Sequence, residues 1–296
     1  MKLSEVLSLI NGFELFREGE FTSLGLNISK SDEKLLSFIE SEKFLSKLSS
    51  SISCVITTKE MAEKIPEHLG VIISKVPRID FFNLHNILVS NIEYKREEYE
   101  TEIGENCSIA STVIISSKNV TIGNNVIIED YVVIRDNTII KDNAIIRAHA
   151  IIGGEGFEFK RYGNKTMGVK HVGGTIIEEN CEIQYGTTVD KAIYPWDNTI
   201  VGEYSKIDNL VQISHAVKIG KRNFIASKTT IGGRTIIGDD CWFGLCATVS
   251  NGLVIGNNSS ISLGAVVTRS LEDGSKVSGN FAIDHSKFIN FIKSIR

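Results

Sequence analysis

Proline is nearly missing from this chain: three residues (Pro66, Pro77 and Pro195) in 296, against 25 glycines. That excludes a proline-rich linker, while the glycines point to many turns. Cysteine is also sparse. The five present (Cys54, Cys107, Cys181, Cys241 and Cys246) are odd in number and lack CxxC spacing, which argues against a disulfide framework or a zinc site and for reduced, mostly buried thiols. Basic charge is not in excess. With 32 Lys and Arg against 36 Asp and Glu, the formal net charge of -4 provides no stripe for nucleic acid and disfavours anionic lipid surfaces. No stretch approaches the roughly 18 uninterrupted apolar residues of a membrane span. In the opening MKLSEVLSLINGFELF, Glu5 breaks what would be the apolar core of a signal peptide. The expectation is a cytoplasmic protein with no nucleic-acid partner, no membrane insertion and no metal. Its 42% of hydrophobic residues can bury a sizeable core.

Two textures divide what is there. Residues 1–98 are rich in lysine and glutamate and read as a small α/β domain. Helical spacing over Ser31–Leu48 lets Leu35, Leu36, Phe38, Ile39 and Phe44 share a face, and SCVIT (53–57) and GVIIS (70–74) read as buried strands. Phe81–Val89 is expected to form a further helix leading to the boundary.

Residues 99–270 follow a period of six. Ile122, Ile128, Ile134, Ile140, Ile146 and Ile152 keep it without a slip, and Ile177, Ile183 and Val189 resume it after an interruption. It then runs through Val201, Ile207, Ile213, Ile219, Ile225, Ile231, Ile237, Phe243, Val249, Ile255, Ile261 and Val267, and every one of these is apolar. A hexad is a short strand plus a corner, and three hexads close one triangular coil whose sixth residues point inward. The fold class expected is therefore mainly β: a left-handed parallel β-helix of hexapeptide repeats, preceded by a small α/β domain and followed by a tail, 271–296, with a short C-terminal helix, Asp284–Ile295. Glycine and asparagine at Gly104, Gly123, Asn124, Asn125, Gly202, Gly220, Gly238, Gly256 and Asn257 mark the corners, where they are expected to take positive φ. Two departures interrupt the array: an excursion at 153–175 and the hexad holding Tyr194-Pro195-Trp196. Long loops in a repeat array are where function usually sits. Irregular faces and these excursions argue against a purely structural or ice-binding solenoid.

The blocks GGEGFEF (153–159), HVGGTIIEENCEI (171–183), TTVD (187–190) and KIDNLVQISHAVKIG (206–220) resemble, in order and spacing, the UDP-3-O-acyl-glucosamine N-acyltransferases of lipid A synthesis. FTSLGL (21–26), LLSFIESEKF (35–44) and SCVITT (53–58) extend the resemblance to the N-terminal domain. It implies a homotrimer with active sites between neighbouring prisms, and His215 as general base. The chemistry supports that role independently, because an amine attacking a thioester must shed a proton that a near-neutral imidazole can accept, with a backbone N–H stabilising the oxyanion. Asp208 is the candidate to orient that imidazole, or else a corner cap. Asp190, one nominal coil earlier, is expected on the same face as Asp208. Asn209, Phe157, Phe159 and His171 join Asp190 as candidate substrate contacts. The resemblance further implies that Phe38 and Phe44 hold the nucleotide base. Ser41 stands where the family commonly has asparagine, which leaves UDP and dTDP both open.

Three features depart from the family. Asn251 stands where it usually has a second histidine, SLGAVVTRS (262–270) replaces its methionine-containing segment, and its extended helical tail is not seen after the short C-terminal helix. The segment GAVVTRSLEDGSKVSGNFA instead resembles the end of coenzyme A-dependent sugar acetyltransferases. Gly233, Gly244, Gly264 and Ala265 would let a pantetheine arm lie close, with Asn251 nearby, and Arg269 and Lys276 would meet coenzyme A phosphates or remain solvated corner residues. Cys241 and Cys246 have no histidine beside them in sequence to make either a nucleophile. The leading expectation is therefore transfer of an acetyl or short acyl group from acyl-CoA to the amine of a nucleotide-linked amino sugar, with no bound cofactor. The alternative is the lipid A N-acyltransferase reaction, fed by acyl carrier protein. A non-catalytic sugar-nucleotide-binding scaffold is the third reading.

Overall fold

Hexads fold as expected because each sixth side chain leaves water while the backbone pairs with the coils above and below. In the computed structural model, which describes residues 1–279 and 282–295, three parallel sheets enclose one apolar stack. The first face has eight strands, from Glu102–Ile103 to Val254–Ile255. The second has nine, from Ser108–Ile109 to Lys276–Val277, and the third has eight, from Ile114–Ile115 to Val266–Val267. All twelve positions from Val201 to Val267 are buried in the stack. Pairing is in register, as in Ile213 with Ile231, Ile231 with Val249 and Val249 with Val267, each step being one coil. Each such side chain contributes on the order of 1.5–3 kcal/mol by leaving water.

The corner glycines work differently from the expectation. Of the nine glycines and asparagines named above, only Asn125 has positive φ, at 57°. The left-handed position of other corners is held by Leu210, Ala216, Lys228, Arg234 and Cys246, among others. Glycine is needed because neighbouring coils touch: a Cβ on Gly202 would lie 2.2 Å from the Gly220 carbonyl oxygen, and one on Gly220 2.7 Å from that of Gly238. Close approach, not φ, selects glycine here.

Ahead of the prism lies a five-stranded sheet. Ser23–Leu24, Leu35–Ile39, Ile52–Thr57 and Gly70–Ile73 are parallel, and Glu14–Arg17 runs antiparallel at one edge. The helix expected over Ser31–Leu48 is replaced by the strand Leu35–Ile39 and a 3₁₀ segment, Glu42–Lys47. The reason is two-sided burial: Leu36 packs into one core while Leu35 and Ile39 pack into another, so a continuous apolar run is satisfied as a central strand. The helix expected at Phe81–Val89 spans Pro77–Leu88 and starts at its proline.

Both departures from the hexad leave the prism at the same corner, where the third face turns into the first. The excursion runs between the strands Ile151–Gly154 and Gly174–Ile177 and carries a hairpin, Phe159–Tyr162 with Lys165–Gly168. One coil later the Tyr194-Pro195-Trp196 hexad is inserted, so Val189 pairs with Ile213, 24 positions on instead of 18. The two insertions dock the small domain. Val169, Ile193 and Tyr194 are buried in its core, Trp196 Nε1 donates to the Leu24 carbonyl at 2.8 Å, and Arg96 Nε donates to that of Pro195 at 2.7 Å. At the other end, the short helix His285–Ser294 begins at Asp284, whose carboxylate caps the Ser286 and Lys287 amides. Residues 280–281 and 296 of the expected tail lie outside the described residues.

Candidate active site

The corner joining the third face to the first stacks one position per coil into a column: His215, Gly233, Asn251 and Arg269, each 18 residues from the last. The strand Gln212–Ile213 delivers His215, and Ala216 behind it takes φ 59° to turn the chain. Gly233 leaves the ring its space, since a Cβ there would stand 2.7 Å from both Cε1 and Nε2 of His215. Around them lies a cavity of about 300 Å³ lined by Phe157, Glu158, Gln212, Ser214, His215, Gly233, Arg234 and Asn251. Of the residues expected from the sequence, it gathers His215, Gly233, Asn251 and Phe157.

The excursion folds back over this corner. Gly156 is the point of closest approach: a Cβ would lie 3.1 Å from His171 Nε2, 3.1 Å from His215 Cδ2 and 3.3 Å from Asp190 Oδ2. His171 meets His215 edge to face at 5.5 Å, and its Nδ1 is paired with the Val169 carbonyl at 3.0 Å. Burial first, then the neighbouring His215, pushes His171 down to about 4, so it stays neutral at ordinary pH. Asp190 goes the other way. Burial lifts it to about 6, opposed by a hydrogen bond from Gln212 Nε2 at 3.2 Å.

The carboxylate beside His215 is one the sequence did not single out. Glu158 Oε2 stands 3.3 Å from His215 Nε2, and its other oxygen accepts from Lys160. Burial alone would raise this carboxyl. The adjacent His215 ring and the hydrogen bond from Lys160, with the charges of Lys160 and Arg234, override it and hold Glu158 at about 2. An ionised carboxylate can only accept, which favours the proton on Nε2 and leaves the Nδ1 lone pair free. Nδ1 is buried without a partner, as are His171 Nε2 and one terminal nitrogen of Arg234. His215 and Arg234 line the cavity and His171 meets His215 beside it, so three unpaired nitrogens cluster at this corner with unmet hydrogen-bonding capacity.

Asp208 lies elsewhere. The extra hexad shifts the register, so Asp190 stands level with Ser214 on the His215 corner while Asp208 occupies the corner between the second and third faces. Its oxygens accept from the Asn209 and Ser227 amides at 2.7 and 2.9 Å, as a corner cap. The expected stacking of Asp190 with Asp208 fails for that reason. Asn209 serves the same corner, accepting from the Tyr185 amide. Phe159 packs on Phe157 at 4.9 Å, outside the cavity lining. Phe38 sits in the small domain at 5.1 Å from Phe81 and 6.1 Å from Phe82, while Phe44 is exposed under Lys43. Gly244 and Gly264 belong to the second-to-third corner, Ala265 is buried against the stack, and Arg269 and Lys276 are exposed.

A family model described as bacterial transferase hexapeptide (six repeats) matches residues 119–154 and 198–233. A UDP-3-O-acylglucosamine N-acyltransferase of Campylobacter lari is 35% identical over 302 aligned positions, covering 96% of this chain and 93% of that one. The chain belongs to that family. It is an acyltransferase. A UDP-3-O-acylglucosamine N-acyltransferase of Methylorubrum extorquens is 38% identical over 128 residues, 43% of this chain and 36% of its own. Among solved structures, a UDP-N-acetylglucosamine acyltransferase from Campylobacter jejuni superposes with a TM-score of 0.53 at 18% identity over 66% of this chain and 79% of that one. One from Francisella novicida gives 0.51 at 22% identity over 64% and 71%. At such identities these two establish the shared fold alone. In this member of the family, the signal that would have pointed to Glu158 is its place in GGEGFEF, on the long excursion at the His215 corner.

Proposed function

We propose that the protein transfers an acyl chain from an acyl carrier protein thioester to the sugar amine of UDP-3-O-acylglucosamine, as a cytoplasmic homotrimer. The observation that carries this reading is the match to a relative of that name along 93% of its length. That match supports acyl carrier protein over the acyl-CoA expected from the C-terminal segment, and UDP over dTDP. Among the described residues, no helix is long and apolar enough to cross a membrane.

The site supports a direct transfer. The amine nitrogen attacks the thioester carbonyl, a C–N bond forms and the C–S bond breaks. His215 Nδ1 takes the proton the amine loses and returns it to the departing thiolate, so no covalent enzyme intermediate and no metal are required. The backbone N–H of Gly233, next in the column, is the candidate to stabilise the oxyanion. Asn251 and Arg234 border the same cavity and stand as contacts to donor or acceptor. Phe38 and Phe44 remain the candidates for the uracil ring.

The test is steady-state thiol release with 3-hydroxyacyl carrier protein and UDP-3-O-acylglucosamine, run beside acetyl-CoA with a panel of UDP- and dTDP-amino sugars. Turnover with the first pair is expected. Turnover with acetyl-CoA alone would overturn the reading and restore the short-acyl alternative.

A further inference from the structure

The excursion holds a chain of contacts that runs from the small domain to the candidate base. Phe82, buried on the helix Pro77–Leu88, presents its ring to Lys160 Nζ at 4.2 Å. Lys160 is 8% exposed and donates to Glu158 Oε1, and Glu158 Oε2 faces His215 Nε2. Two charges this deeply buried cost several kcal/mol each to desolvate unless both find partners. The lysine finds them in a carboxylate and an aromatic face, the carboxylate in the lysine and the imidazole. The charged and titratable groups facing Glu158 and His215 are Lys160 of the hairpin, Arg234 of the next coil, and His171 and Asp190 around Gly156.

We propose that Glu158, anchored by Lys160, is the positioning residue for His215: it holds the imidazole with its proton on Nε2 and places a negative charge opposite the imidazolium that forms during transfer. The proposal rests on His215 being the base. The ring is confined on three sides, by Glu158 at Nε2, by Gly233 against Cε1 and Nε2, and by Gly156 over Cδ2. A carboxylate in that position stabilises the protonated imidazole more than the neutral one, and so favours the transition state over the ground state. Because Lys160 also rests on Phe82, the geometry of the base depends on the small domain staying docked. Asp208 caps two amides at the corner between the second and third faces, away from the imidazole.

Removing Glu158 alone strands a buried lysine, so the decisive variant replaces the pair together, Glu158→Leu with Lys160→Met, apolar residues of similar volume that such sites often tolerate without loss of stability. Three readouts are taken. In the substrate-free protein, imidazole ¹⁵N shifts of His215 are expected to report the Nε2–H tautomer in the wild type and a mixture in the double variant. In turnover, kcat is expected to fall roughly 10- to 100-fold with KM little changed, a part of the about 10²–10⁴ that general-base catalysis supplies. The acid limb of the kcat/KM profile is expected to move to lower pH, because the imidazolium has lost its counter-charge. Glu158→Gln combined with Lys160→Met, which leaves the single amide oxygen free to accept from Nε2 but carries no charge, should recover the tautomer and not the rate. A double variant with wild-type tautomer, kcat and acid limb overturns the proposal, as does a raised KM with unchanged kcat. His215→Ala separates the two levels: if it retains turnover the base assignment fails, whereas an inert His215→Ala beside an unimpaired double variant sinks the positioning role alone.

Discussion

The regular coils and the corner that carries His215 follow opposite rules. In the coils from Val201 to Val267 each position does what its equivalents one coil away do: apolar residue inward, backbone paired, glycine where coils touch. At the third-to-first corner the repeat fails twice on successive coils, and there the chain brings together two histidines, two carboxylates and unpaired buried nitrogens. Repetition supplies rigidity without chemistry, because identical surroundings cannot perturb one residue differently from its equivalents. The candidate site lies where an insertion covers one coil's corner. The first departure covers His215; the second shifts the register so that Asp190, not Asp208, comes level with it.

The contrast can be broken from either side. The largest effect expected is on the regular side. Ile231→Ala removes a fully buried member of the stack and should cost about 2–5 kcal/mol in urea unfolding, while kcat below the transition stays near wild type. Next comes the corner. Gly233→Ala puts a methyl 2.7 Å from the His215 ring, which must turn or shift. Stability should change little, and kcat/KM should fall roughly 10- to 100-fold, since about 1 Å of misplacement can cost that much. A Gly233→Ala enzyme with full activity would show that the ring position does not matter.

The smallest effect is in the pH dependence of stability. His85, enclosed between Tyr94 and the Lys170 carbonyl, and His171 are each pushed down to about 4, chiefly by burial. Unfolding lets both take up protons, so the stability they contribute is complete above about pH 6.5 and is lost as pH falls towards 4. Asp190, lifted to about 6, acts in the reverse sense and strengthens the fold as pH falls from about 6 to 4. Two histidines outweigh one carboxyl, so net stability declines over that range. Below the ordinary carboxyl range the loss of Glu158, held near 2, adds to it. Asp190→Asn should gain about 1–3 kcal/mol at pH 7 and lose stability more steeply on acidification. Urea titrations at pH 7, 5.5 and 4 check both.

Much of the fold was legible because the hexad is a one-dimensional code, in which Ile122 through Val267 report an inward position without knowledge of any distant residue. His215 was legible because its motif is contiguous. The Glu158–His215 contact was not, since it joins residues 57 apart through a loop whose path no periodicity describes. Nor was the 24-residue coil, because counting in sixes does not say whether an odd hexad extends a face or swells a corner. Leu35–Ile39 misled for a related reason: a run buried on both sides of a sheet has no alternation to distinguish it from a helix. The glycines were read correctly as corners but for the wrong cause, since contact between coils cannot be seen in one strand of sequence.

The account stands or falls on His215. Single-turnover acyl transfer from 3-hydroxyacyl carrier protein to UDP-3-O-acylglucosamine, measured for wild type and His215→Ala with matched unfolding curves, tests it directly. The account predicts a loss of about 10²–10⁴-fold in the chemical step with an unchanged transition midpoint. A variant that transfers the acyl chain at the wild-type rate would contradict it.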